Sequence, residues 1–222
     1  MRRTLSTMLP SALIVSVGAY YLGGWAVLTV DEVPDYVTAK TPVTIAYVAR
    51  QHGAEPLGKL DGVVEARSGS TVVSARAKEA RTGHYSASLT LPHSGSWTVS
   101  ITSGFGPSNA KLMPIRAIDF GGTPPALTDM ERGRRLYVAK GCITCHVHAA
   151  VSPGEMIQVK AAPELTQKRY AADYLALYLA NPSIRPPSTP GGAQMPNLGL
   201  KPAEIAALSA FINGASVVGS AK

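Results

Sequence analysis

Cys142-Ile143-Thr144-Cys145-His146 is the stretch of this chain whose residue types and spacing can do chemistry. Two thiols three positions apart, with an imidazole directly after the second, form the attachment sequence of a c-type haem. The spacing has a physical reason. One helical turn sets both sulfurs along the same edge of a porphyrin, where each can add to a vinyl group. His146 then falls beneath the iron and offers a ring nitrogen as the proximal ligand. The chain holds two cysteines, and this reading uses both.

Other uses of the pair fit less well. A structural zinc site needs four ligands, commonly from two such clusters, and there is no second C-x-x-C; His148 adds one further donor nearby. A thioredoxin-type redox pair belongs in a βαβ setting, whereas the flanks here read as helical. A disulfide across two intervening residues is strained.

The elements that must position these residues lie on both sides. Thr128 with Glu131 three residues on has the pattern of an N-cap and capping box, predicting a helix to about Lys140 that delivers the cysteines at its end. Gly133 and Tyr137 fall four apart, on one face. Arg169 to Asn181 reads as a helix with Tyr170, Tyr174, Leu175, Tyr178 and Leu179 inward, ended by Asn181-Pro182. A last helix starts near Pro202 and carries the apolar stripe Ile205-x-x-Leu208-x-x-Phe211-Ile212. Between these two, Pro186, Pro187, Pro190, Gly191 and Gly192 mark an irregular loop leading to Gln194-Met195-Pro196.

These features together resemble class I (mitochondrial-type) monohaem cytochromes c, over nearly all of residues 126–214. The resemblance implies an all-α domain in which Gly133 and Tyr137 of the first helix pack on Phe211 of the last. It implies Met195 as the sixth iron ligand, a soft thioether that favours ferrous iron. It also implies that the carbonyl of Pro163, in Ala162-Pro163-Glu164-Leu165, accepts a hydrogen bond from His146 and orients it. Met156 and His148 are the competitors for the iron. Residues 147–160 depart from the family in length.

Residues 37–118 read differently. Val43–Val48, Val63–Ala66, Thr71–Ala75, Tyr85–Leu89 and Trp97–Ile101 alternate with period two and are separated by turn residues. Strands at this spacing suggest a small antiparallel sandwich of immunoglobulin type without its disulfide. Val33-Pro34-Asp35-Tyr36-Val37, Arg50-Gln51-His52-Gly53 and the Gly83-to-Val99 run with Tyr85, Leu89, Gly95 and Trp97 resemble the YtkA-like (FixH-like) family. That resemblance implies an association with oxidase assembly or copper handling. His52, His84 and His93 could hold a metal or be turn residues; without a cysteine here a blue-copper site is excluded.

Upstream, Arg2 and Arg3 precede an apolar run from Leu9 to Val30 free of charge, with Tyr20, Tyr21 and Trp25 in its second half. At 1.5 Å per residue the run is about long enough to cross a ~30 Å hydrocarbon core, and the flanking arginines keep the N-terminus in the cytoplasm. It is longer than a signal-peptide apolar region and ends without a small-x-small exit. The expected organisation is an N-terminal segment and transmembrane anchor over 1–30, a β-sandwich over 31–120, a Gly-Gly-Thr-Pro-Pro linker over 121–125 and a haem domain over 126–222.

The net charge of +7 suits docking to an acidic surface or an anionic membrane. No basic run interleaves with aromatics, so nucleic acid is not expected as a partner, and no nucleophile–base constellation calls for a small-molecule substrate. The resulting expectation is a non-enzymatic electron carrier with one covalent haem c. It is held in the bacterial inner membrane with its haem on the periplasmic side. Its partner is an integral membrane complex: a terminal oxidase, or else a reaction centre or quinol-oxidising complex. A haem-bearing oxidase-assembly or copper-handling factor is the alternative.

Overall fold

The computed structural model describes residues 24–154, 156–187 and 194–214. The first 23 residues, most of the expected membrane anchor, lie outside the described residues. A β unit comes first and a helical unit follows.

The β unit has eleven strands: β1 Ala26–Val30, β2 Tyr36–Thr38, β3 Pro42–Gln51, β4 Glu55–Pro56, β5 Val63–Ser68, β6 Thr71–Arg76, β7 Lys78–Arg81, β8 His84–Thr90, β9 Gly95–Thr102, β10 Asn109–Lys111 and β11 Ile115–Ile118. One sheet runs β1-β3-β8-β7 with β4 on β3. The other runs β2-β11-β9-β5-β6 with β10 on β9. All pairs are antiparallel except β2 with β11. The five alternating stretches of the sequence lie in β3, β5, β6, β8 and β9. Their inward positions meet in a core around Trp97, Tyr47 and Tyr85, all fully buried. Tyr47 and Tyr85 sit opposite each other in register, and their rings stack at 5.4 Å, the cross-strand pairing that fixes a sheet's alignment.

One expectation is corrected here. The last five residues assigned to a membrane helix, Ala26–Val30, form β1, paired along its length with β3 from Ala26↔Gln51 to Val30↔Tyr47. The β unit therefore begins by Ala26 and not at residue 31. Every residue of β1 is buried. Leu28 and Val30 enter the sandwich core, while Thr29 reaches the helical unit through a hydrogen bond from its hydroxyl to the Lys140 carbonyl. A strand covered on both faces shows no alternation, so β1 merges with the apolar run before it. Among the described residues no helix is long and apolar enough to cross a membrane.

The helical unit contains α1 Asp129–Ala139, a single turn α2 Cys142–Cys145, α3 Ala172–Ala180, a 3-10 turn Pro182–Ile184, and α4 Pro202–Gly214. The capping box at α1 is present in both directions: Glu131 N–H donates to Thr128 Oγ1, and Thr128 N–H to the Glu131 carboxylate at 2.8 Å. The helix ends at Ala139 with Lys140 as its C-cap, as expected; Gly141 then adopts φ +78 and places the cysteines on a turn of their own. The third helix is shorter than its pattern, since Asn213 of α4 binds both the N–H and the carbonyl of Tyr170 and holds that backbone out of the helix.

The crossing of α1 and α4 is set by Gly133. A Cβ there would stand 1.9 Å from the Ala207 carbonyl oxygen and 2.7 Å from Phe211 Cβ, so only glycine lets the two backbones meet. Tyr137, one turn later, packs on Phe211 with ring centroids 5.5 Å apart. Gly133→Ala is expected to destabilise the protein by about 1–3 kcal/mol through forced separation of the helices. A lowered urea midpoint at unchanged slope checks it; an unchanged midpoint would refute the contact.

Candidate haem site

The cysteine turn is positioned by the residues just before it. Gly141 lies so close to β1 that a Cβ would meet Val27 at 2.5 Å and the Leu28 carbonyl at 2.8 Å. Lys140 is buried, and its ammonium pairs with Glu204 at 2.7 Å and donates to the Asp31 carbonyl at 2.7 Å. The end of α1, the start of α4 and the end of β1 are thus joined at the point where the motif begins.

His146 leaves the turn with extended backbone, its N–H still donating to the Cys142 carbonyl. Its ring Nδ1 is 2.8 Å from the Pro163 carbonyl oxygen. A carbonyl can only accept, so Nδ1 carries the proton and Nε2 keeps a free lone pair. The His146 backbone is held from behind by Tyr137, whose hydroxyl donates to its carbonyl at 3.0 Å. Burial lowers the basicity of the ring, partly offset by the Pro163 contact, and keeps the neutral, ligating form in place near neutral pH.

The long return segment has no regular structure. It is pinned instead by backbone bonds from Val159 to Thr144, Ala162 to Cys145 and Leu165 to Val147, which bring Pro163 under His146.

Two adjoining cavities, of about 250 and 220 Å³, open beside the cysteines, and both are lined by Cys142, His146, Pro163, Tyr178, Gln194 and Met195. The first is otherwise walled by Tyr137, Tyr170, Tyr174, Leu175, Leu179, Leu208 and Ile212, with Arg185 among its polar residues. The second adds Cys145 and, from the β unit, Trp25 and His52. Met195 is held there by its neighbour: Gln194 Nε2 donates to the Pro182 carbonyl at 3.1 Å, tying the methionine segment to the end of α3.

The competitors for the iron stand elsewhere. Met156 accepts a hydrogen bond at its sulfur from Lys111 N–H of β10 and lines neither cavity. His148 is only 1% exposed and packs on the ring of Phe211 at 4.5 Å, behind Tyr137. Among the described residues no group of three or more His, Cys, Asp or Glu could hold a metal ion; His52, His84 and His93 form no such group.

Burial raises both cysteine thiols, Cys142 to about 12, and the two form no disulfide. A mainly apolar cleft with two thiols, one imidazole lone pair and one thioether at its wall fits a covalently attached haem.

The family model for Cytochrome c matches residues 130–216. That part of the chain is a cytochrome c domain. Its cofactor is covalently bound haem c, and the family implies electron transfer through it. No curated protein matches the sequence. Solved structures with some likeness include an engineered protein (17% identity, TM-score 0.33, covering 42% of this chain and 20% of that one). Domains 4 and 5 of the S-layer protein SbsC match at 17% identity and TM-score 0.33, covering 43% of this chain and 54% of that one. The ZirS C-terminal domain matches at 12% identity and TM-score 0.34, covering 53% and 86%. This chain therefore spans a fifth of the first structure and about half of the second, and similarity at this level carries no functional inference.

Sequence reasoning placed Cys142, Cys145, His146, Pro163 and Met195, and the fold brings all five to one cleft. It missed Trp25, His52, Gln194 and Arg185. Nothing local marks them, because their place depends on the approach of segments far apart in the chain.

Mass spectrometry of protein made with the haem maturation machinery should show one haem retained through denaturation and acid extraction. Cys142→Ala or Cys145→Ala should weaken that retention, and the double substitution should abolish it. An unmodified wild-type polypeptide would remove the basis of this assignment.

Proposed function

We propose that this protein is a membrane-anchored monohaem cytochrome c that passes single electrons to or within an integral membrane respiratory complex, a terminal oxidase first among the candidates. The reading rests on one observation: His146 and Met195 line the same cleft as the two cysteines. Bound there, haem c supplies a one-electron ferric–ferrous couple. His146 Nε2 would hold the iron, its tautomer and orientation kept by the Pro163 carbonyl, and the Met195 thioether would supply the second side-chain ligand. Iron held by two side chains would leave no position for a substrate, which favours electron transfer over enzymatic chemistry.

Aromatic and leucine side chains make up much of the cleft wall, and an apolar surround of this kind lowers solvent access to a metal site and the local dielectric. Soft sulfur ligation favours the reduced state and suits a donor to a high-potential acceptor.

The location follows from the sequence. Covalent haem attachment belongs to the oxidising side of bacterial membranes. With Gly24, Trp25 and Ala26–Val30 belonging to the β unit, the charge-free stretch available for an anchor is residues 4–23, within the ~17–25 residues a membrane helix needs. Arg2 and Arg3 keep its start in the cytoplasm, leaving both folded units periplasmic. In this arrangement the YtkA-like β unit sets the haem at a fixed distance from the bilayer. The haem then meets partners embedded in the same membrane at high effective concentration.

Met195→Ala is expected to abolish the weak long-wavelength absorption of sulfur-ligated ferric haem and to lower the potential. Met156→Ala should leave both unchanged, and the reverse result would move the ligand to Met156.

The membrane reading has its own check. Full-length protein extracted in mild detergent should bring down an integral membrane complex. Replacing residues 1–23 by a cleavable signal should leave the spectrum intact but slow electron delivery in membranes. Equal turnover by the truncated form, together with purification of the full-length chain alone, would dismiss the tether.

A further inference from the structure

Trp25 and His52 belong to the β unit, yet both line the cavity that holds Cys145, Met195 and Pro196. Their rings pack together at 5.3 Å between centroids, inclined by 57°. The backbone enforces the pairing. The β1–β3 ladder ends at Ala26↔Gln51, and one step beyond it His52 N–H donates to the Trp25 carbonyl at 3.0 Å.

His52 sits at φ +51, a left-handed conformation that costs a non-glycine residue about 1–3 kcal/mol. Gly53 follows, also at positive φ, so the turn already holds one residue suited to that region. The strain at His52 is retained where its ring braces Trp25. Gly53 in turn faces the methionine segment: both it and Pro196 line this cavity, and a Cβ at Gly53 would stand 4.0 Å from Pro196 Cγ.

We infer that the β unit is a working wall of the haem site, with Trp25 closing the Cys145–Met195 side of the cleft and His52 bracing it. The inference rests on the reading of His146 and Met195 as the axial ligands. Two consequences follow. The apolar shell of a metal site controls solvent access and the local dielectric, and through them the reduction potential. Removing the Trp25 ring admits water, favours the more highly charged ferric state and lowers the potential. It also frees the Pro196 side of the methionine segment, so an external ligand displaces Met195 faster.

The experiment uses the full-length, haem-loaded protein carrying Trp25→Ala, Trp25→Phe, His52→Ala or, on the far sheet, Val72→Ala. The midpoint potential is measured, with the rate at which imidazole displaces the sulfur ligand of the ferric form. Trp25→Ala should exchange about tenfold faster than wild type, the scale of effect found for outer-shell residues of metal sites, at a lower potential. His52→Ala should shift both in the same direction by less. Trp25→Phe should restore most of the wild-type behaviour, and Val72→Ala should match wild type.

Should Trp25→Ala fail to fold, His52→Ala decides the matter, because it alters a side chain of an exposed turn and leaves the ladder intact. Wild-type potential and exchange rate in the folded Trp25→Ala or, failing that, His52→Ala protein would overturn the inference. If the wild type shows no sulfur ligation but Trp25→Ala still lowers the potential, the ligand assignment fails and the wall stands.

Discussion

The ammonium group of Lys140 is the point on which the two units of this protein agree. It closes α1, is only 3% exposed, and meets Glu204 from α4 and the Asp31 carbonyl from the end of β1. Its own carbonyl accepts from the Thr29 hydroxyl. A buried ion pair adds little net stability, because desolvation offsets the attraction, but an unpaired partner is costly, about 3–5 kcal/mol. Such a pair therefore selects one arrangement more than it strengthens any. The selection matters because Gly141 and the cysteine turn follow at once. Where Lys140 is held, the haem attachment point is held.

Around this node the interface is continuous. Arg132 pairs with Asp35 at 2.9 Å, the buried Arg135 donates to the Asp35 and Pro114 carbonyls, and Lys201 pairs with Glu32. Exposed ion pairs contribute little each. Here they rim a contact whose centre is apolar and tight, with Val27 and Leu28 directly against Gly141. The linker at residues 121–125 connects two units that are already joined by packing, so its length does not decide where the haem stands.

The site itself separates support from ligation. Tyr137, Gln158 and Pro163 fix the backbone and ring of His146 through hydrogen bonds. Gln194 fixes the methionine segment through the end of α3. The groups proposed as ligands thus have their orientation set by others, as metal sites with defined electronic properties require. The cleft walls come from α3, α4 and the strand ends of the β unit, so the surroundings of the haem are shared between the two units.

The amino-acid sequence by itself determined the chemistry and the local elements that present it. The C-x-x-C-H spacing, the Thr128–Glu131 capping box, the stripe of α4 and the alternation of β3, β5, β6, β8 and β9 are all readable, because each is a relation between residues within one or two turns or along one strand. The small residue at Gly133 was readable too, as half of a pair with Tyr137. Tertiary structure decided the rest. Periodicity reports burial of one face, and β1 is covered on both, so its sequence looked like the end of a membrane helix. Strands of two to four residues such as β2, β4, β10 and β11 are too short to alternate and exist through their partners. Lys140 was legible as the end of the first helix but not as a buried tie; Trp25 fell within the expected membrane run and became a wall of the cleft. For β1, Lys140 and Trp25 the deciding contact joins segments far apart in the chain, and no local pattern records which distant surface a side chain will meet.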